Sequence, residues 1–236
     1  MKPTKIPAFC KKLAVIFLLF AITTGGSGCK FMNTEEGVQR RVVRHMEKKY
    51  DEEFVMLSPE SGIFIIPSQY KVSPKAHPEW VVHTYWDSDD NSIEDNYLGY
   101  LLNDELEELF SSLAKPIYGE CKVFAQPYAF VLGDEYGKDT TLKDLMPYSL
   151  NDITLFVNKD PAIKDEDLEK LRQAMEDNYL QTDIGLLYMD EKLLSTATRE
   201  NHQDYFGDET TYSWREDLTM HDDYTFASVE WREGKL

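Results

Sequence analysis

The residues with most chemical potential form one acidic turn. Asp87-Ser88-Asp89-Asp90-Asn91-Ser92-Ile93-Glu94-Asp95 places oxygen donors where a calcium loop needs them: Asp87, Asp89 and Asn91 at positions 1, 3 and 5, and Asp95 at position 9. The same loop type requires glycine at position 6 and a bidentate glutamate at position 12, where this chain has Ser92 and Leu98. The competing expectation is a polar turn between a strand and a helix, with acids favouring the helix N-terminus. The four oxygen-bearing residues are therefore weak metal candidates, and no cofactor is expected.

Histidines and nucleophiles offer less. No HExxH motif and no i, i+4 histidine pair occurs among His45, His77, His83, His202 and His221. His202-Gln203-Asp204 and His221-Asp222-Asp223 share one polar region, where convergence would give ligands for a metal-assisted hydrolase. GxSxG, SxxK, CxxC and glycine-rich phosphate loops are absent. Paired acids for glycoside cleavage have no signature in a chain with 43 acidic residues. Tyr205, Phe206, Tyr212 and Trp214 stand in a run otherwise full of Asp, Glu and Thr. They are the binding-surface candidates, set against the simpler expectation that they pin a long loop to the core. The reading leans away from an enzyme and names no catalytic residue.

The elements that must position these groups alternate in type. Val38, Val42, Met46 and Tyr50 recur every four residues, which predicts a helix opening near Glu35 with Thr34 as its cap. Off that face lie Arg40, Arg41, Arg44, Lys48 and Lys49, a basic cluster suited to anionic headgroups or to a solvated surface. Strands are expected from Phe54, over Gly62 to Val72 and over Glu79 to Trp86, with Pro67 marking an edge or a bulge. A long amphipathic helix is expected from Asp95 to Ala114, stopped by Pro116. A strand interrupted by Pro127, a short helix over 141–146 and a strand over 152–157 follow. Then come a helix capped by Asp165, a strand over 183–189, an unplaced stretch over 191–222 and a final strand from Tyr224 to Trp231.

This order predicts an α+β fold with mostly antiparallel sheet and helices on one face. A seam near 133–139 (GDEYGKD) divides an N-terminal region, 35–132, from a C-terminal region, 133–236, as possible subdomains of one chain.

The N-terminus supplies an address. Lys2, Lys5, Lys11 and Lys12 precede an apolar run from Leu13 to Thr24, too short to span a bilayer but suited to a signal peptide. Gly25, Gly26, Ser27 and Gly28 lead to Cys29. This segment resembles a bacterial lipoprotein signal with its lipobox, departing from it at Gly26, where leucine is most frequent. The resemblance implies cleavage after Gly28, a diacylglyceryl lipid on Cys29 and a tether over 29–34. It places the protein on the outer face of the cytoplasmic membrane, since two acyl chains give a stable hold.

Removing the signal leaves about 208 residues, with 21 basic residues against 43 acidic ones, and takes the formal charge from −18 to −22. Such acidity repels nucleic acid and favours a basic partner. With Cys10 cleaved away and Cys29 lipidated, Cys121 stands alone and is expected to be buried.

His45 to Phe54 (HMEKKYDEEF) and Asp95 to Glu108 (DNYLGYLLNDELEE) resemble uncharacterised small lipoproteins of Gram-positive bacteria. The likeness, over about residues 38–125, implies location and an α+β fold and brings no active-site residue with it. The function expected is a membrane-anchored binding module for a protein, ligand or envelope component. The alternatives are an immunity or inhibitor lipoprotein against an exported toxin, and a cell-envelope hydrolase.

Overall fold

The computed structural model describes residues 34–59, 68–127, 131–148 and 151–236. The signal segment, Cys29 and Pro67 lie outside the described residues.

Helix α1 (Glu35–Tyr50) begins where Thr34 accepts a hydrogen bond from the Gly37 amide. It ends where Asp51 adopts a left-handed φ of 58° and donates back to Glu47. Its predicted apolar stripe is fully realised: Val38, Val42, Met46 and Tyr50 are all buried. They pack on an antiparallel sheet of β1 (Phe54–Pro59), β2 (Ser68–Pro74), β3 (Val82–Trp86) and β4 (Ile93–Asp95), in that spatial order.

The expected helix from Asp95 is divided. Ile93–Asp95 is strand, α2 is Tyr97–Leu101, and α3 (Asn103–Tyr118) follows after a break at Leu102. Pro116 does not stop α3. It lies in the last turn, where a missing amide forfeits one hydrogen bond, and the helix ends at Gly119 with φ 74°.

The second sheet contains β5 (Cys121–Pro127), β6 (Asn151–Val157), β7 (Ile184–Tyr188), β8 (Trp214–Met220) and β9 (Phe226–Glu233), in that order. All its pairs are antiparallel except β6–β7, which are parallel. Their connection carries α5 (Lys164–Asp177), as a parallel pair requires. Asp165 lies in the first turn of α5, not at its cap; Asp160 caps the preceding 3-10 turn, Pro161–Ile163, by accepting from the Ala162 amide. The fold is thus α+β with two sheets, mostly antiparallel.

Helices α3 and α5 cover one face of this sheet. Leu106, Phe110, Ala114, Leu171 and Met175 meet Val123, Ile153, Leu155, Ile184 and Leu186 there. The other face holds Phe124, Phe156 and Leu187, covered by α6 (Glu191–Thr196), the 3-10 segment His202–Gly207 and Tyr212. Short helical segments therefore occupy the face opposite the long helices. Burial from both sides explains why β6 is buried without a break from Ile153 to Val157, apolar except for Thr154.

The seam at 133–139 does not separate the sheets. β5, before it, pairs with β6, after it, while Leu132 and Leu145 join the core under α1. Asn151 ties the two units together. Its side-chain amide donates to the Gly99 carbonyl at 3.0 Å and to Asn103 Oδ1 at 2.8 Å. Residues 142–145 form a short helix, α4, whose Asp144 carboxylate accepts from the amide and hydroxyl of Thr141.

Candidate functional site

Strand alternation fixes what the second face of the five-stranded sheet presents. Because Ile153, Ile184 and Leu218 point at the helices, Asp152, Thr154, Asp183, Gly185, Asp217 and Thr219 point the other way. The 3-10 segment covers only part of this face. The remainder is an open cleft of about 420 Å³, walled by Gln203, Phe206 and Val229.

Each wall has a local cause. Phe206 approaches the sheet closely because position 185 is glycine: a Cβ there would lie 2.6 Å from the Phe206 ring. Arg215 secures the segment by donating to the Phe206 carbonyl at 2.9 Å, with its guanidinium 4.8 Å from the ring centroid. The same guanidinium forks onto both carboxylate oxygens of Asp217.

Arg215 thus neutralises Asp217 and leaves Asp152 and Asp183 as the uncompensated negative charge. The two flank each other on parallel strands, where the Ile153 amide donates to the Asp183 carbonyl at 2.9 Å. Asp183 accepts from the Met220 amide at 3.3 Å. Asp152 keeps an exposed edge, yet the desolvation of its inner side and then the neighbouring Asp183 carboxylate push its pKa up to about 6, from an ordinary 3.8. One carboxyl here titrates close to neutrality beside another that is half-buried. This arrangement can hold a positively charged group, and it can pass a proton.

The residues singled out from sequence fare differently. Asp87, Asp89, Asn91 and Asp95 do not assemble a cation site. Residues 87–92 form the β3–β4 hairpin loop, in which Asp87 accepts from the Asp89 amide and Asn91 accepts from Arg41. Asp95 is turned inward and fully buried, accepting from Lys49 Nζ and Tyr50 Oη at 2.8 Å each and from the Tyr97 amide at 2.9 Å. Among the described residues, no group of three or more His, Cys, Asp or Glu side chains is placed to hold a metal ion.

His202 is buried, stacked on Phe124 at 5.1 Å, and its Nδ1 donates to the Arg199 carbonyl at 2.7 Å. His221 is exposed in the β8–β9 turn. The metal-dependent version of the hydrolase therefore lacks its ligands among these residues. Lys49 belongs with Asp95 in the core, so the basic cluster on α1 is smaller than its sequence suggests.

Of the binding candidates, Tyr205 and Tyr212 are buried in the core beneath the 3-10 segment. Trp214 stacks on Trp231 at 5.1 Å, and Phe206 alone lines the cleft. Cys121 is half-buried, not fully buried, at the start of β5, where burial pushes its thiol pKa up.

Asp152, Asp183 and Asp217 were not visible as a group in the sequence. The alternation of Arg215, Asp217 and Thr219 along an eventual strand was the available signal, masked by the polar surroundings of 191–222.

No family model matches this chain, and no curated protein does. The chain is similar to a solved structure of a DUF5037 family protein from Ruminococcus gnavus ATCC 29149, at 12% identity over 84% of this chain and 95% of that one. The TM-score of 0.38 is too low for that likeness to carry an argument.

Proposed function

We propose that this protein is a lipid-anchored, extracytoplasmic binding module whose cleft on the second sheet receives a cationic group of an envelope ligand or partner. The observation that carries the reading is the uncompensated pair Asp152–Asp183 on a rigid sheet face, with Arg215 already committed to Asp217. Gln203, Thr154 and Thr219 add hydrogen-bonding capacity around that charge, and Phe206 supplies an apolar wall. The Cys29 lipid would hold the cleft close to the bilayer, and the charge of −22 left after removal of the signal favours a basic partner. A basic exported toxin is one partner of that chemistry, which would make the protein an immunity lipoprotein.

A second reading has one observation in its favour. A carboxyl whose pKa is pushed up to about 6, beside a second carboxyl, is how an acid–base pair for hydrolysis is built. On that reading Asp152 gives a proton and Asp183 accepts one.

Titration of the full-length chain with lysine- and arginine-containing peptides, against acetylated controls, tests the binding reading. Binding should weaken at least tenfold in Asp183→Asn, and should strengthen from pH 5 to pH 7.5 as Asp152 ionises. Equal affinity for acetylated peptide would refute it. Turnover of envelope polymers abolished by Asp152→Asn would favour the hydrolase instead.

A further inference from the structure

We infer that the outer edge of β9 is a homodimer interface, at which two copies join their five-stranded sheets antiparallel, centred on Trp231. β9 is the last strand of its sheet, and among the described residues no strand pairs its outer side. It is eight residues long, and Val229 and Trp231 are 69% and 60% exposed. An exposed edge of that length presents an unpaired row of amides and carbonyls to any strand of matching pattern.

The hydrogen-bond phase says which residues face outward. The Gly234 amide donates to the Ser213 carbonyl at 3.0 Å, so by alternation Arg232 and Glu230 also turn their backbone groups toward β8. Trp231 and Glu233 therefore turn theirs toward the open edge. A two-fold axis through Trp231 then makes the two tryptophans a reciprocally hydrogen-bonded pair.

Charge selects this centre. Paired residues must share a face, so symmetric registers centre on a single residue. Centring on Glu230 opposes two glutamates, and centring on Arg232 opposes two arginines. Centring on Trp231 sets each Glu230 opposite the other copy's Arg232, giving two cross-strand ion pairs where side chains approach most closely. Within one copy these residues already ion-pair along the strand, so the charges lie on one face ready for exchange. Trp231 rests flat on Trp214, the ring planes 5° apart, and Lys164 lies 4.6 Å from the Trp214 ring. The apolar half of the interface is thus pre-formed on the opposite face from the charges. A second copy of this chain fits better than an arbitrary peptide, because Glu-Trp-Arg is its own complement in this register.

The test uses the full-length chain in detergent. Trp231→Cys places two thiols on Cα atoms about 5.5 Å apart, within disulfide reach. Mild oxidation should yield at least tenfold more covalent dimer than the unsubstituted chain with its native cysteines. Glu233→Cys, which faces Val229 in this register, should remain at background. With Trp231 intact, sedimentation should show a dimer, a monomer in Glu230→Arg, and a dimer again in Glu230→Arg/Arg232→Glu. Thermal melts confirm that each variant is folded. A monomeric unsubstituted chain, a dimer indifferent to the charge reversal, or equal cross-linking at Glu233→Cys would each overturn the proposal.

Discussion

At the residue scale the informative side chain is Asp152. Its pKa is raised in the folded state, so between about pH 4 and pH 6 the folded chain holds a proton that the unfolded chain has released. Stability contributed by this group therefore falls as pH rises through that window, and the loss is complete above it. Asp152→Asn should remove that slope and leave the protein slightly more stable at pH 7.5, by less than about 1 kcal/mol once solvent screening is counted. Chemical denaturation at pH 4.5, 6 and 7.5 checks this; an unchanged slope would show that Asp152 ionises normally. The acid was legible in the sequence as the first residue of a strand. Its pKa was not, because both the desolvating wall and Asp183 come from other segments of chain.

At the element scale, the corner joining α1 to β4 and α2 is the point of highest leverage. Asp95 takes Lys49 and Tyr50 from α1 and the Tyr97 amide from α2, while its backbone pairs in both directions with Leu132. Lys49 also donates to the carbonyls of Leu132 and Gly133. Removing one charge would strand the other in the core. Asp95→Ala should cost about 3–5 kcal/mol, and Asp95→Leu/Lys49→Met should recover much of it. Urea denaturation of both variants decides; equal losses would mean that the pair is solvated. The helical periodicities of α1 and α3 and the short, largely apolar run of β6 made these elements recognisable, since each is a local property. The inward turn of Asp95 contradicted its place in an acidic run, because acid-rich loops and buried ion pairs use the same residue type.

At the scale of the whole molecule, attachment and architecture are separable. The lipid reading puts the attachment on Cys29. Labelling with a lipid precursor should vanish in Cys29→Ala, and that variant should leave the membrane fraction while its folded domain retains the wild-type melting temperature. Retention of label would place the lipid elsewhere. The boundary at 133 illustrates the limit of linear reading: composition shifts there, yet β5 crosses it to pair with β6, and Leu132 and Leu145 serve the first core. Sheet partners are chosen by burial of both faces, which no local stretch records.

The sequence by itself determined the α1 stripe, the α+β class and the types of the strongly periodic elements, because each follows from spacing within a few turns or strand residues; the start of the helix after Asp95 and the elements over 191–222 did not follow from it. The proposed address is likewise read from contiguous residues, the run from Lys2 to Cys29. Tertiary structure alone decided that Asp95 is core, that Tyr205 and Tyr212 are packing residues, and that Asp152, Asp183 and Asp217 share one face. Those outcomes depend on which strands lie side by side, and strand neighbours are set by non-local contacts between residues far apart in the chain.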